Sequence, residues 1–426
     1  MTTYSDTIQY LFGLQKFGIK LGLQNIGKLS THLGRPHDNL HVIHIGGTNG
    51  KGSTAAMIQS ILTNQGYKVG LFTSPHLVNF TERIRIDYDE IIEEAVITLT
   101  CHIKKTLDEI KLGDHITFFE FTTAIALLYF FQMGVDIAIL EVGMGGRLDS
   151  TNIVENPLIS IITNVSLDHQ QYLGKKLGDI AYEKAGIIKH GGRIITGENK
   201  PGILKVLKDV ADEKRAKIYR LGQEFKIKKA KKDSHFNYYG LENTYRRVTT
   251  NLFGMHQMLN AAQAIAAIEI MRELGYNIED CAIYSGLQHV KWPGRLEVVC
   301  ESPRVLVDGA HNRGGVLALK KVLTDEIVYR RLVLVLGIMV DKDYRFIISH
   351  LAPLAEVVIV ARPKMDRSAP PELLVKEVEK FNTRTIKSNS VSNAIKKALA
   401  LASLNDLICV TGSLFTVGEA KEFFAG

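Results

Sequence analysis

From residue 41 onward, short β-branched runs alternate with longer stretches of helical spacing, the pattern of a parallel sheet flanked by helices. His41-Val42-Ile43-His44-Ile45 reads as a buried strand, and residues 51–64 carry helical spacing through Ala55, Ala56, Ile58, Ile61 and Leu62. Further strands are predicted at residues 69–72, 137–142 and 158–163, each followed by a loop rich in Gly, Ser, Asn or Asp. Functional loops are expected at those strand ends. The longest apolar-or-small run, residues 121–131, is bracketed by Glu120 and Gln132. It falls far short of the roughly 20 residues of a membrane span, so it predicts a core helix.

Between residues 219 and 254 the pattern weakens into short alternating segments with turn residues, predicting a small antiparallel patch. Helical spacing resumes over residues 256–274. Trp292-Pro293-Gly294-Arg295 then combines the only tryptophan with a Pro-Gly breaker, and a strand restarts near Val305-Leu306-Val307. This puts a domain boundary near 296. Beyond it, strands at 332–336, 357–360 and 407–410 alternate with helical segments at 371–380 and 391–400. The predicted class is α/β with two doubly wound domains, residues 1–295 and a smaller, Rossmann-like one at 296–426.

Bulk properties agree with two folded domains. A chain of 426 residues exceeds the size at which one core usually keeps growing. Its 46% hydrophobic and 23% charged residues lie well away from disordered composition. Cys101, Cys281, Cys300 and Cys409 are widely spaced with no CxxC pair, which argues against a disulfide framework or zinc site and for buried, reduced thiols. No basic-then-apolar segment opens the chain, so a cytoplasmic protein is expected. The net charge of +7 favours anionic ligands. Its bases are mixed with acids apart from residues 226–232, and no aromatic interleaving accompanies them, so neither nucleic acid nor membrane is an expected partner.

The strongest chemical signal is Gly46-Gly47-Thr48-Asn49-Gly50-Lys51-Gly52-Ser53, placed after a strand and opening a helix. There, backbone N–H groups and a helix N-terminus bind phosphate. The glycines let the backbone curl round an anion, Lys51 can reach the β- and γ-phosphates, and Ser53 offers a hydroxyl to magnesium. The N-terminal domain thus reads as a P-loop ATPase. The spacing departs from GxxxxGK[ST]: Gly52 separates lysine from serine, and Ile45 stands where the first glycine usually does.

The segment Gly47-Thr48-Asn49-Gly50-Lys51-Gly52-Ser53 resembles the phosphate loop of the folylpolyglutamate synthase and dihydrofolate synthase family, a branch of the Mur ligases. Thr73-Ser74-Pro75-His76-Leu77, Glu141-Val142-Gly143-Met144-Gly145-Gly146-Arg147-Leu148-Asp149, Leu167-Asp168-His169, Glu183-Lys184-Ala185-Gly186, Pro293-Gly294-Arg295 and Asp308-Gly309-Ala310-His311-Asn312 extend the likeness in the same order. It implies ATP and Mg2+ as cofactors and an active site in a cleft between the domains. It also implies a reaction in which a substrate carboxylate forms an acyl phosphate that L-glutamate converts to an amide. Folate or dihydropteroate is the implied partner, and a monomer is expected.

By the same resemblance Ser53, Ser74, Glu141 and His169 are metal ligands. Read alone, Glu141 would be a strand-end surface acid and His169 a structural hydrogen bonder. Lys184 would be only a phosphate-neutralising charge or a solvated helix residue, but the matching lysine of the family can be carbamylated. Thr117-Phe118-Phe119-Glu120 matches a pterin-binding segment, with Leu148-Asp149-Ser150 a loop that also touches the pterin; without the family, Phe118 and Phe119 read as core. Asn260 and Arg295 match nucleotide-contacting positions, Asp308 and His311 occupy the second domain's first strand-to-loop turn, and Ser413 lies in a loop like that near the incoming glutamate. Arg295 would stabilise developing phosphate charge, or else form an interdomain salt bridge.

Two other readings stay open. A Mur-type ligase acting on a cell-wall precursor shares the layout but is not expected to carry the Lys51-Gly52-Ser53 spacing. A nucleotide switch without ligase activity predicts slow ATP turnover indifferent to amino acids.

Overall fold

The computed structural model describes residues 3–113, 115–230, 235–381 and 384–425. The chain divides into two compact units: Met1–Asn251 with Gln257–Lys291, and Leu252–His256 with Trp292–Gly426.

In the first unit, β1 (Val42–Gly46), β2 (Val69–Phe72), β3 (Ile84–Ile86), β4 (Asp89–Glu90), β5 (Ile137–Glu141), β6 (Ile159–Ile162), β7 (Arg193–Thr196) and β8 (Lys217–Arg220) form one sheet in the order β4-β3-β2-β5-β1-β6-β7-β8. Strands β2, β5, β1, β6, β7 and β8 are parallel, and β3 and β4 add an antiparallel edge. Strands β1, β2, β5 and β6 are buried along their whole length. Helices covering both faces of a parallel sheet require this, and it explains why these strands read as continuous apolar runs rather than alternations. The Lys51–Gln65 helix is buried from Ser53 to Leu62, and the Phe118–Met133 helix encloses the apolar run.

After β1 the chain winds one way to β2, and after β5 it winds the other way through β6, β7 and β8. The loops leaving β1, β5 and β6 therefore gather at a topological switch, the place where doubly wound sheets bind ligands.

Strands β9 (Lys226–Lys229), β10 (Phe236–Tyr239) and β11 (Thr244–Val248) make a separate antiparallel sheet, the small patch expected from the sequence. Lys217–Arg220 joins the large sheet instead, paired in parallel with β7. Of the basic run at 226–232, residues 231 and 232 lie outside the described residues.

The second unit has its own sheet. Strands β12 (Glu297–Glu301), β13 (Arg304–Asp308), β14 (Leu332–Leu336), β15 (Val357–Val360), β16 (Arg384–Lys387) and β17 (Leu407–Thr411) are ordered β12-β13-β17-β14-β15-β16, parallel except for β12. Leu334, Leu336, Val358, Leu319, Ile347 and Leu374 belong to its core. No described helix is long and apolar enough to cross a membrane. The four cysteines are free, but only Cys409 is buried. Cys281 is exposed beside Glu279 at the start of the Asp280–His289 helix, which corrects the expectation of four buried thiols.

Candidate active site

The loop between β1 and the Lys51–Gln65 helix is held from behind by the segment that follows β6. Thr48 N donates to Asn164 O (2.9 Å), Asn49 N to Asn164 Oδ1 (3.1 Å), and Thr163 Oγ1 and Asn164 Nδ2 donate to Asn49 O (2.7 and 2.8 Å). Thr48 Oγ1 also receives Ser166 N at 3.0 Å. Gly47 has φ 136° and Gly50, the helix N-cap, φ 85°. Both lie where side chains are strained, and both are crowded. A Cβ on Gly47 would collide with Thr163 Oγ1, and one on Gly50 would lie 2.5 Å from Asn260 Oδ1. Asn260, on the Met255–Glu273 helix and fixed by Gln257 Oε1 at 3.0 Å, is thereby placed against the phosphate loop.

Three charged groups converge on the loop. Lys51 Nζ lies 3.7 Å from Glu141 Oε1 at the end of β5. Ser74 N, just past β2, donates to Glu141 Oε2 at 3.2 Å. Lys184, on the Leu177–Ala185 helix, is buried and donates from Nζ to Gly47 O at 2.8 Å. Burial, and then the neighbouring Lys51 charge, lower its pKa to about 7, against the pull of Asp168 and Asp149. A buried amine that releases its proton near neutral pH offers a free base that can attack carbon dioxide, where an exposed lysine stays protonated.

Ser53 is buried in the first turn of its helix, and His169 caps the Gln170–Leu173 helix with φ 49°, its N–H on Asp168 Oδ1 at 2.9 Å. Among the described residues no three His, Cys, Asp or Glu side chains cluster as a metal cage. Mg2+ takes one or two carboxylates and completes its octahedron with hydroxyls, water and phosphate oxygens. Glu141, a buried carboxylate at a strand end beside Ser74 and Lys51, fits such a role.

Beside this centre, Phe119 lies on the backbone of the loop after β5: a Cβ on Gly143 would sit 2.5 Å from its ring. Phe118 lies tilted against Phe12 (centroids 5.9 Å apart) and under Arg83, whose guanidinium carbon is 5.1 Å from the ring centre. Arg83 is itself buried and donates from Nε to His76 Nδ1 at 2.7 Å. Burial lowers its pKa to about 10 and, with the Arg83 charge, that of His76 to about 3. Sequence reasoning missed Arg83, because a buried cation three strands from the phosphate loop carries no local signal.

Thr117 and Glu120 are engaged with one another. Glu120 N donates to Thr117 Oγ1 (3.2 Å), and Glu120 Oε2 receives Thr117 N (2.8 Å) and Oγ1 (2.7 Å), a capping box that starts the Phe118–Met133 helix. Asp149 is equally occupied, receiving Met144 N at 2.9 Å and Thr151 N at 3.1 Å. Leu148 O accepts Gly22 N at 3.2 Å, and Ser150 begins the turn that follows.

In the second unit Asp308 ends β13, buried, receiving Leu296 N (3.0 Å) and Ala310 N (2.9 Å). Burial raises its pKa although Arg295 opposes this. Arg295 lies over Gly309, where a Cβ would collide with its guanidinium, and His311 Nδ1 donates to Gly309 O at 2.8 Å. Arg295, Asp308 and His311 are therefore one cluster. Ser413, at the start of the Leu414–Ala425 helix, is buried and exchanges a 2.7 Å bond with Thr416 Oγ1.

A family model described as "Mur ligase middle domain" matches residues 45–268, and one described as "Mur ligase, glutamate ligase domain" matches residues 294–414. The dihydrofolate synthase/folylpolyglutamate synthase of Bacillus subtilis strain 168 is 36% identical over 99% of this chain and 99% of its own. This chain belongs to the dihydrofolate synthase/folylpolyglutamate synthase family of Mur ligases. Two solved members of that family agree in fold. Escherichia coli FolC in complex with DHPP and ADP has a TM-score of 0.90 at 33% identity, covering 98% of this chain and 97% of that one. The Mycobacterium tuberculosis folylpolyglutamate synthase complexed with ADP has a TM-score of 0.92 at 32% identity, with 99% of each covered.

Proposed function

We propose that this chain is an ATP-dependent ligase that joins L-glutamate to a folate, to dihydropteroate, or to both. A carboxylate oxygen of the pterin substrate attacks the γ-phosphorus of ATP, and ADP leaves. The glutamate amine then attacks the acyl carbon and loses a proton, phosphate leaves, and an amide remains. The observation that carries this reading is the loop at 46–53 with Lys51, Glu141 and Lys184 drawn onto it, in a member of a family whose Escherichia coli representative holds both DHPP and ADP.

Glycines 47, 50 and 52 with Thr48 and Asn49 cradle the β- and γ-phosphates, Lys51 neutralises them, and Asn260 packs behind. Glu141, Ser53, Ser74 and His169 would hold a divalent cation, which supplies charge to the phosphoryl oxygens. The free-base form of Lys184 attacks carbon dioxide through its nitrogen and loses a proton to solvent, leaving a carbamate anion beside that centre. Phe118, Phe119 and the 148–150 loop flank the pterin, with Arg83 as a buried cation available to its carboxylate. Residues 1–295 form the ATPase domain and 296–426 the glutamate-ligase domain; Arg295 at the boundary, with Asp308, His311 and Ser413, serves nucleotide and glutamate. The enzyme acts as a monomer in the cytoplasm, where ATP is made available.

The test is ADP release from purified protein offered dihydropteroate, tetrahydrofolate or a muramyl peptide precursor, with and without glutamate. Release that requires both a pterin and glutamate is expected. Turnover indifferent to amino acids, or dependent on the muramyl substrate, would overturn the proposal.

A further inference from the structure

His44 sits in the middle of β1, fully buried two residues before the phosphate loop, and its side chain bonds to Thr151 in the turn that follows Asp149. Its Nε2 is 2.8 Å from Thr151 Oγ1, and Thr151 Oγ1 is 2.6 Å from Asp149 Oδ1. Its Nδ1 is buried with no hydrogen-bond partner among the described residues. That asymmetry assigns every proton. A buried N–H left without an acceptor is costly, so Nδ1 is the bare nitrogen and Nε2 carries the hydrogen. Nε2–H donates to the Thr151 hydroxyl, whose own hydrogen is thereby directed to the Asp149 carboxylate. Burial, and then the charge of Lys189, lower the His44 pKa to about 3, so the ring stays neutral and the direction of the chain is fixed.

We infer that His44 is a positioning residue for pterin binding, acting through Thr151 to orient the Asp149 carboxylate and the loop around it. The inference rests on the proposed assignment of Phe119 and residues 148–150 to the pterin. Asp149 Oδ2 fixes Met144 N at one end of the loop and Oδ1 fixes Thr151 N at the other. A change in the carboxylate's angle therefore moves the loop against Gly143 and the Phe119 ring. The far side of the turn is anchored separately: Asn152 Nδ2 donates to Arg147 O (3.0 Å) and Gly186 O (3.1 Å), and Lys189 Nζ to Asn152 O (3.1 Å). It is the Asp149 side that His44 ties to β1 through side chains. One strand thus carries two outputs, the phosphate loop at its end and the pterin loop from its side.

The test compares Thr151→Val, which keeps shape and removes the hydroxyl, with His44→Leu and His44→Gln, the last retaining an amide N–H where Nε2 stands. For Thr151→Val and His44→Leu, KM for dihydropteroate and tetrahydrofolate should rise about tenfold, the scale of one lost buried hydrogen bond, with KM for ATP unchanged. His44→Gln should recover most of the loss, and the double variant Thr151→Val/His44→Leu should be no worse than either single change, since both break one chain. Equal loss of ATP and pterin parameters in proportion to lowered thermal stability would mean a merely structural role and overturn the inference, as would unmoved pterin KM values. Phe119→Ala separates the two failures. If it leaves the pterin KM unmoved, the pterin pocket itself is misassigned; if it raises KM while the His44 and Thr151 variants do not, only the positioning role fails.

Discussion

Lys184 Nζ donates to the carbonyl oxygen of Gly47 at 2.8 Å, so the one buried lysine of its helix reaches the first glycine past β1. This bond holds the amine within the field of Lys51, which together with burial brings its pKa from 10.5 to about 7. The unfolded chain keeps that proton up to its ordinary value while the folded one releases it. Between about pH 7 and 10.5 unfolding therefore takes up a proton, and stability rises with pH. Below that window the fold carries a buried ammonium at full cost. Denaturation titrations in buffer stripped of carbon dioxide should show wild type gaining on Lys184→Met across this window, by on the order of a few kcal/mol. Adding bicarbonate should then raise both stability and turnover of wild type, and neither for Lys184→Met, because a ligand that binds only the folded amine stabilises the fold.

Gly47→Ala and Gly50→Ala separate two requirements of the phosphate loop. At Gly47 the new methyl meets the Thr163 side chain, which itself anchors Asn49, so the loop must leave its course. At Gly50 the methyl meets the end of the Asn260 amide, which can yield, and the left-handed backbone costs about 1–2 kcal/mol. ADP titrations should find binding abolished in Gly47→Ala and weakened about tenfold in Gly50→Ala, on the scale of that cost.

How much of this was legible depended on the range of the contacts. β1, its glycine turn and the following helix are continuous in sequence, so five buried residues, a turn and a run of small and apolar helix formers announce them together. Strands β13, β14, β15 and β17 of the second unit were equally local, whereas its two edge strands, β12 and β16, are only partly buried and carry no long apolar run to announce them. The edge pair β3 and β4 is too short to show a period, and Arg83 joins the proposed pterin site only because the fold buries it against Phe118. His44 and Thr151 stand 107 positions apart, so no local pattern joins them. The Thr117-x-x-Glu120 capping box is a different case: the signature is local and readable, but the resemblance drew both residues toward the pterin instead.

That capping box predicts a division of effects. Thr117→Ala removes the acceptor for Glu120 N and leaves a buried carboxylate short of one donor, which should cost about 1–2 kcal/mol of stability. Thr117→Ser keeps the hydroxyl and should restore it. If capping is the whole role, pterin KM measured well below the melting temperature stays at the wild-type value in both variants. A raised KM in a Thr117→Ser protein of full stability would instead mean direct contact with the substrate.

Glu141 lets metal and nucleotide be told apart. Its two oxygens face Lys51 Nζ and Ser74 N, and Glu141→Gln keeps a carbonyl for one of them while removing the charge that a divalent cation needs. Nucleotide phosphates approaching without metal are repelled by the carboxylate, so ADP measured in chelator should bind Glu141→Gln as tightly as wild type or more so. With Mg2+ present the order should reverse, because the Glu141 carboxylate would help to hold the ion that neutralises the phosphates and the variant's amide would not. Calorimetric titration of ADP with and without Mg2+ checks both arms. The variant should also need at least about tenfold more Mg2+ for half-maximal turnover, as expected when an oxygen anion is taken from a hard-cation site. A variant whose Mg2+ requirement matches wild type would place the ion away from the end of β5.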